Sequence, residues 1–273
     1  MINVNVLWFL ILWIEQYTSS IIDVFILDAN KTEYLIYLLD YFGVSLLNTK
    51  KLTLIALMAS AYAALSLLPG IPMIGADGST IDLVRMLEIG YGLILGPVYG
   101  PAAAFIVAFI GKSLQGGGFG IFFTPLAAIS SLVAALLGRK KGRYWWISAG
   151  ILGVLIAGWY LFDVGRTIWY FPVMHLFALL LLVFSRSKIS NWISSRNKRT
   201  MSIGMFICSF ISTVAGHMLG NLIFILMLSP EPGLFVTILA VSLIERLGIA
   251  IGATFFGVSL LVAVRELYPE LLD

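Results

Sequence analysis

The hydrophobic positions of this chain fall in long runs divided by short clusters of Gly, Pro and charged residues, with no sustained alternation of the strand type. From residue 50 onward the runs predict eight apolar helices, at about 52–69, 82–96, 98–112, 120–138, 144–162, 167–185, 201–228 and 234–264. The second and third are short and are joined by the breaker run Gly96-Pro97-Val98-Tyr99-Gly100-Pro101, so they read as two full crossings or as a re-entrant pair. Either choice returns the chain to the same side. Before residue 50 the runs Val4–Ile14, Ile21–Leu27 and Tyr34–Leu47 are interrupted by Glu15, Asp23, Asp28, Glu33 and Asp40. Residues 1–49 are therefore expected to form an accessory extension, either one imperfect membrane helix or amphipathic segments at the interface.

Composition turns this pattern into a class. Of the 273 residues 60% are hydrophobic and 11% charged, where a soluble domain has about 25% charged. The expected fold is an all-α polytopic integral membrane protein, a compact helical bundle. Cys208, the sole cysteine, lies within an apolar run, which excludes intramolecular disulfides and thiolate metal clusters. The first residues lack a basic n-region and a small-residue cleavage site, so the N-terminal segment is expected to be retained.

Charge placement orients the bundle. Lys50 and Lys51, then Arg139, Lys140, Lys141 and Arg143, then Arg186, Lys188, Arg196, Lys198 and Arg199, then Arg265 make up twelve of the 17 Lys and Arg. Under an eight-helix count all four groups share one side, which the positive-inside rule makes the cytoplasm. The C-terminus is then cytoplasmic, in a multi-pass protein of the plasma membrane.

An ionisable residue at the centre of a membrane helix costs about 2.5–3.5 kcal/mol on insertion scales, so each needs a partner, water or a function. Asp82, Arg85 and Glu88 lie on one side of the second helix, Lys112 and Gln115 close the third, His217 and Asn221 share a face of the seventh, and Glu245 and Arg246 sit near the middle of the eighth. All nine fall in the outer half or at the midplane. This predicts a polar pocket open to the outside above an apolar floor; structural ion pairs are the competing reading. His175, on a very apolar helix, reads as a hydrogen-bonded packing residue rather than a ligand. The first helix carries a different signal, a small-residue row of Ala56, Ser60 and Ala64 beside Ala59 and Ala63, over which another helix can approach closely.

Enzyme motifs are sparse. The chain has no P-loop, no H-E-x-x-H and no G-x-S-x-G. Phe171-x-x-x-His175 and His217-x-x-x-Asn221 look like two motifs of the CPBP family of intramembrane glutamic proteases, whose E-E-x-x-x-R motif is absent. The expectation is a protein that is not an enzyme, with no catalytic residue, no metal and no cofactor.

The first helix KKLTLIALMASAYAALSLLPGIP, the segment LILGPVYGPAAAF and the closing pair GHMLGNLIFILML and SLIERLGIAIGATFFG together resemble the substrate-binding S-components of energy-coupling factor (ECF) importers. The resemblance covers about residues 50–141 and 201–265. It implies six family helices, with 144–185 an inserted pair, 50–265 the transmembrane domain and 266–273 a cytoplasmic tail. It also implies capture of a small polar micronutrient, a vitamin or precursor, beneath the loop Pro69–Ile81. The nine polar residues above would bind it. Ala59 and Ala63, flanked by Ala56, Ser60 and Ala64, would dock a transmembrane coupling subunit driven by separate ATPase subunits. Lipid is the remaining partner and no nucleic acid is expected. A CPBP-type protease and a non-catalytic scaffold are the alternatives.

Overall fold

The computed structural model describes residues 49–66, 70–72, 80–81, 83–139 and 144–268, all within the unit Asn48–Asp273. The extension 1–49 except its last residue, most of the loop Pro69–Ile81, Asp82, the cations Lys140, Lys141 and Arg143, and the end of the tail lie outside them. The described chain is helical throughout except for one two-residue antiparallel ladder, β1 (Ile71–Pro72) with β2 (Thr80–Ile81), which pinches the base of the Pro69–Ile81 loop. Eight helices follow one another as α1 (Thr49–Ser66), α2 (Glu88–Leu114), α3 (Pro125–Gly138), α4 (Trp145–Trp159), a short α5 (Asp163–Thr167), α6 (Val173–Ile193), α7 (Lys198–Leu228) and α8 (Pro232–Leu267). Turns of 3-10 helix at Leu83–Leu87 and Gly118–Phe123 lead into α2 and α3. Among the described residues five stretches are long and apolar enough to cross a membrane: Val84–Leu114, Gly118–Gly138, Val173–Ile193, Lys198–Leu228 and Pro232–Leu267. This is a multi-pass helical bundle.

The first of those stretches is a hairpin. At Gly96 the backbone takes φ 81° and ψ −176°, and Pro97 follows, which ends the incoming limb. The limbs then pack against each other so closely that a Cβ on Gly100 would lie 2.7 Å from the Tyr91 carbonyl and 2.8 Å from the Cα of Gly92. On the opposite side of the same limb a Cβ on Gly92 would collide with the Ser131 carbonyl of α3. The expected break between two short helices is present at Gly96, although the first begins at Glu88, after a 3-10 turn, and not at 82. The incoming limb reaches the end of the bundle, because Leu93 packs on Gly138, the last residue of α3.

Two boundaries differ from expectation. The helix expected at 167–185 begins at Val173, after a turn that contains Phe171, and continues past Arg186 and Lys188 to Ile193. Hydropathy stops at the first cation, whereas the backbone ladder needs only residues that tolerate helix, and a charged extension beyond the apolar core satisfies that. Arg186 itself is a break, with φ 12° and ψ −103°, and its guanidinium lies 5.8 Å from the ring centroid of Trp145. The connection to α7 shrinks to a few residues ending at Asn197, whose side chain accepts from the backbone N–H of Arg199 and Thr200 and so caps α7.

The ends of α3, α6 and α8 and the start of α7 gather at one end of the bundle. Ser190 donates to the Arg139 carbonyl, and Arg265 donates to the carbonyls of Ser195 (3.2 Å) and Ile193 (2.9 Å). Arg139, Arg186, Lys188, Arg196, Lys198, Arg199 and Arg265 mark this as the basic end. α7 is the central element: seventeen of its residues are buried, and Gly216 and Gly220 lie so close to α3 that a Cβ on either would overlap Ser130 or Leu126. These are the close contacts that small residues permit in membrane helices. α1 buries Leu54, Met58, Tyr62 and Ser66 against α2, at i, i+4, i+8 and i+12. Its row Ala56, Ser60 and Ala64 is exposed, with Ala59 and Ala63 half-buried at its margin.

Candidate functional site

The site residues nearest the midplane come from α7 and α8. Arg246 is only 3% exposed; it ion-pairs with its neighbour Glu245 and donates from Nη1 to Thr213 Oγ1 at 3.1 Å. One turn of α7 beyond Thr213, His217 meets His175 of α6. His175 Nε2 and His217 Nδ1 are 3.1 Å apart and share a hydrogen bond, with the rings parallel to within 2° and their centroids 5.3 Å apart. Asn221, one further turn along, donates from Nδ2 to the His217 carbonyl at 3.0 Å and lies 3.3 Å from His217 Nδ1. The i, i+4 spacing of Thr213, His217 and Asn221 sets all three on one edge of α7.

An aromatic wall closes this part of the site. Trp159, at the end of α4, stacks on Phe171 at 4.6 Å, and Phe235 of α8 meets both edge-on at 4.9 and 5.1 Å. Phe171 in turn lies 6.0 Å from the His175 ring and 6.4 Å from that of His217. The wall covers one side of the imidazoles, with Phe171 and His175 fully buried and His217 half-buried. Its residues come largely from 144–185, so the helices expected as an appended pair build the site.

The second part lies between α1, α2 and α3. Arg85, Glu88, Tyr62, Lys112 and Thr124 line a small cleft of about 10 Å³, room for a single water. Lys112 donates from Nζ to Gln115 Oε1 at 3.0 Å, and Gln115 donates from Nε2 to the Ser66 carbonyl, tying the end of α2 to the end of α1. Glu88, 3% exposed, and Lys112, 8% exposed, are buried. The turn after α2 contributes as well, since the Lys112 stem packs on Gly120 and Gly116, Gly117 and Gly118 all have positive φ. The two parts are electrostatically continuous: the charges of Arg85 and Glu88 act on Arg246, and those of Arg246 and Arg85 act on His217.

Eight of the nine expected residues are described. Arg85, Glu88, Lys112 and Gln115 form one group, His217, Asn221, Glu245 and Arg246 the other, and Asp82 is outside the described residues. Of the expected pocket the described residues give part of the wall: Arg85, Glu88 and Lys112 share one small space, and most of the loop Pro69–Ile81 expected above it lies outside the described residues. His175 packs and hydrogen-bonds within the bundle, and what the sequence did not indicate is that its partner is His217. It is fully buried against His217, its Nδ1 has no hydrogen-bond partner, and the signal that finds it is its F-x-x-x-H spacing paired with H-x-x-x-N. Among the described residues no cluster of three His, Cys, Asp or Glu side chains is placed to hold a metal ion. Chemically the site offers two guanidinium groups, an ammonium, two carboxylates and an imidazole pair. Such a set has the donors and acceptors that a polar, partly charged molecule would need.

No family model matches the chain, and no solved structure matches it. The uncharacterized protein MJ0923 of Methanocaldococcus jannaschii is 33% identical over 186 residues, covering 67% of this chain and 61% of that protein. The sensor protein LytS of Enterococcus faecalis is 35% identical over 69 residues, which are 25% of this chain and 12% of LytS. The chain spans less than two thirds of the length of either relative, and it is similar to one protein of unassigned role and to a short part of a sensor.

Proposed function

We propose that the protein is the substrate-capture subunit of an ECF-type importer, which binds a small polar solute from outside and delivers it with a separate coupling subunit and ATPases. The observation that carries the reading is the gathering of Arg85 from the turn before α2, Glu88 of α2, His175 of α6, His217 of α7 and Arg246 of α8 into two groups whose charges act on one another, away from the basic end. Ion pairs that only staple helices need no imidazole pair and no aromatic wall beside them. The excess of guanidinium and ammonium groups over carboxylates there favours a solute with an acidic group. The solute would then enter between α1 and α2, where the Gln115–Ser66 hydrogen bond joins them. On this reading the basic end faces the cytoplasm, six helices are of the S-component type, and the exposed row on α1 meets the coupling subunit. A short likeness to a protein named as a sensor fits a module that binds a ligand.

Native mass spectrometry of the purified protein tests this directly. The expected result is a retained small molecule and copurifying ATPase subunits; a clean apoprotein that copurifies with nothing supports a scaffold instead.

One observation favours a second reading. The structure assembles Phe171, His175, His217 and Asn221, the residues whose spacing looks like CPBP glutamic proteases. The groups that act on the histidines, however, are the guanidinium groups of Arg246 and Arg85, which do not activate water. A proteolytic activity lost in both Glu88→Gln and Glu245→Gln would replace the capture reading.

A further inference from the structure

Away from the site, α7 and α8 leave a groove of about 630 Å³ on the outer surface of the bundle. Its apolar lining comes from Phe206, Ile251, Phe255, Val258 and Val262, and Ile251 and Phe255 are 62% and 73% exposed, so the groove opens sideways toward lipid. The hydroxyls within it make no demand on an occupant: Thr254 donates to the Ala250 carbonyl at 2.7 Å and Ser259 to the Phe255 carbonyl at 3.0 Å. From Ile251 to Val262 the groove follows eleven residue steps of α8, about 16 Å at the helical rise, which is about half of a hydrocarbon core some 30 Å thick. It therefore spans one leaflet and ends at the basic end.

The charge at that end is specific. Lys198, the first residue of α7, lines the groove, is exposed, and among the described residues takes part in no ion pair. Arg265 nearby is committed to the Ser195 and Ile193 carbonyls. An apolar trough one leaflet long, closed at its polar end by one unpaired ammonium, matches an acyl chain below a phosphate. We propose that this groove seats one anionic phospholipid of the leaflet at the basic end, its phosphate on Lys198 and one acyl chain along Phe255 and Val258. The proposal is independent of what the buried site binds.

The test uses the full chain reconstituted in nanodiscs of phosphatidylcholine and phosphatidylglycerol, then released into detergent and read by native mass spectrometry. One phosphatidylglycerol per chain is expected to survive, in preference to phosphatidylcholine. Lys198→Gln should lower that retention several-fold, while Lys188→Gln, a cation removed from the same end but outside the groove, should leave it unchanged. Val258→Trp, which fills the trough, should abolish it, and added phosphatidylglycerol should raise the melting temperature of the natural chain but not of Lys198→Gln. Equal retention of the two lipids, unchanged retention in Lys198→Gln, or a dimer that forms through this face would overturn the proposal.

Discussion

Arg246 shows what one buried charge demands. At 3% exposure, it is accommodated by the Glu245 carboxylate beside it, by the charge of Glu88 and by Thr213, which accepts from it. Arg246→Met leaves Glu245 in an apolar surrounding without its counter-ion and is expected to cost about 3–5 kcal/mol of stability. The double variant Glu245→Gln/Arg246→Met should recover most of that loss. Thermal unfolding in detergent measures both; equal destabilisation of the single and double variants would show that the pair is not the source. At this scale the sequence was informative in an uneven way. Charges within apolar runs stand out by cost alone, so Glu88, Lys112, Glu245 and Arg246 could be picked from their depth. His175 could not, because a neutral imidazole among Leu and Phe is cheap and its meaning depends on His217, 42 residues away.

At the scale of the element, the α2 hairpin depends on Gly96. Its φ of 81° with ψ near 180° is a conformation open essentially to glycine, and other residues pay of order 1–3 kcal/mol to hold it. Gly96→Ala should destabilise the protein by about that amount in the same unfolding assay, although a Cβ there would meet nothing within 4 Å. Gly92→Val acts differently. Its backbone is ordinary, but its added atoms enter the Ser131 carbonyl, so the limb must separate from α3 at about 1–3 kcal/mol for overpacking. Comparison of the two variants separates conformational from steric cost. The break at Gly96-Pro97 was legible in the sequence because Gly and Pro act locally. The full reach of the hairpin was not, since it is fixed by Leu93 against Gly138, a contact between distant residues. The extension of α6 to Ile193 was missed for a related reason, because hydropathy reports where lipid ends and not where a helix does.

For the whole molecule, the pattern of apolar runs was enough for a multi-pass helical bundle, and the cations were enough to gather the ends of α3, α6 and α8 at one place. Two assays probe the orientation and the outer face of that bundle. Single cysteines at Ser195 and Ser229, in a Cys208→Ala background, lie at opposite ends of α7; only the first should be shielded from a membrane-impermeant reagent added to whole cells, if the basic end is cytoplasmic. Ser60→Trp, on the exposed row of α1, should weaken association with a coupling subunit while ligand retention and melting temperature stay unchanged. Substitutions at half-buried Ala59 and Ala63 are blunter, since they also press on the bundle.

α1 joins two features that have so far stood apart. One hydrogen bond, from Gln115 to the Ser66 carbonyl, fastens its tip beside the small polar cleft, and the bare row of Ala56, Ser60 and Ala64 runs down its back. A helix is stiff along its length, so α1 is a lever with a handle outside the bundle and a catch inside it. A partner that gripped the handle would hold the catch, and a tilt of α1 by one hydrogen-bond length would release Gln115 from the Ser66 carbonyl at the far end of the helix.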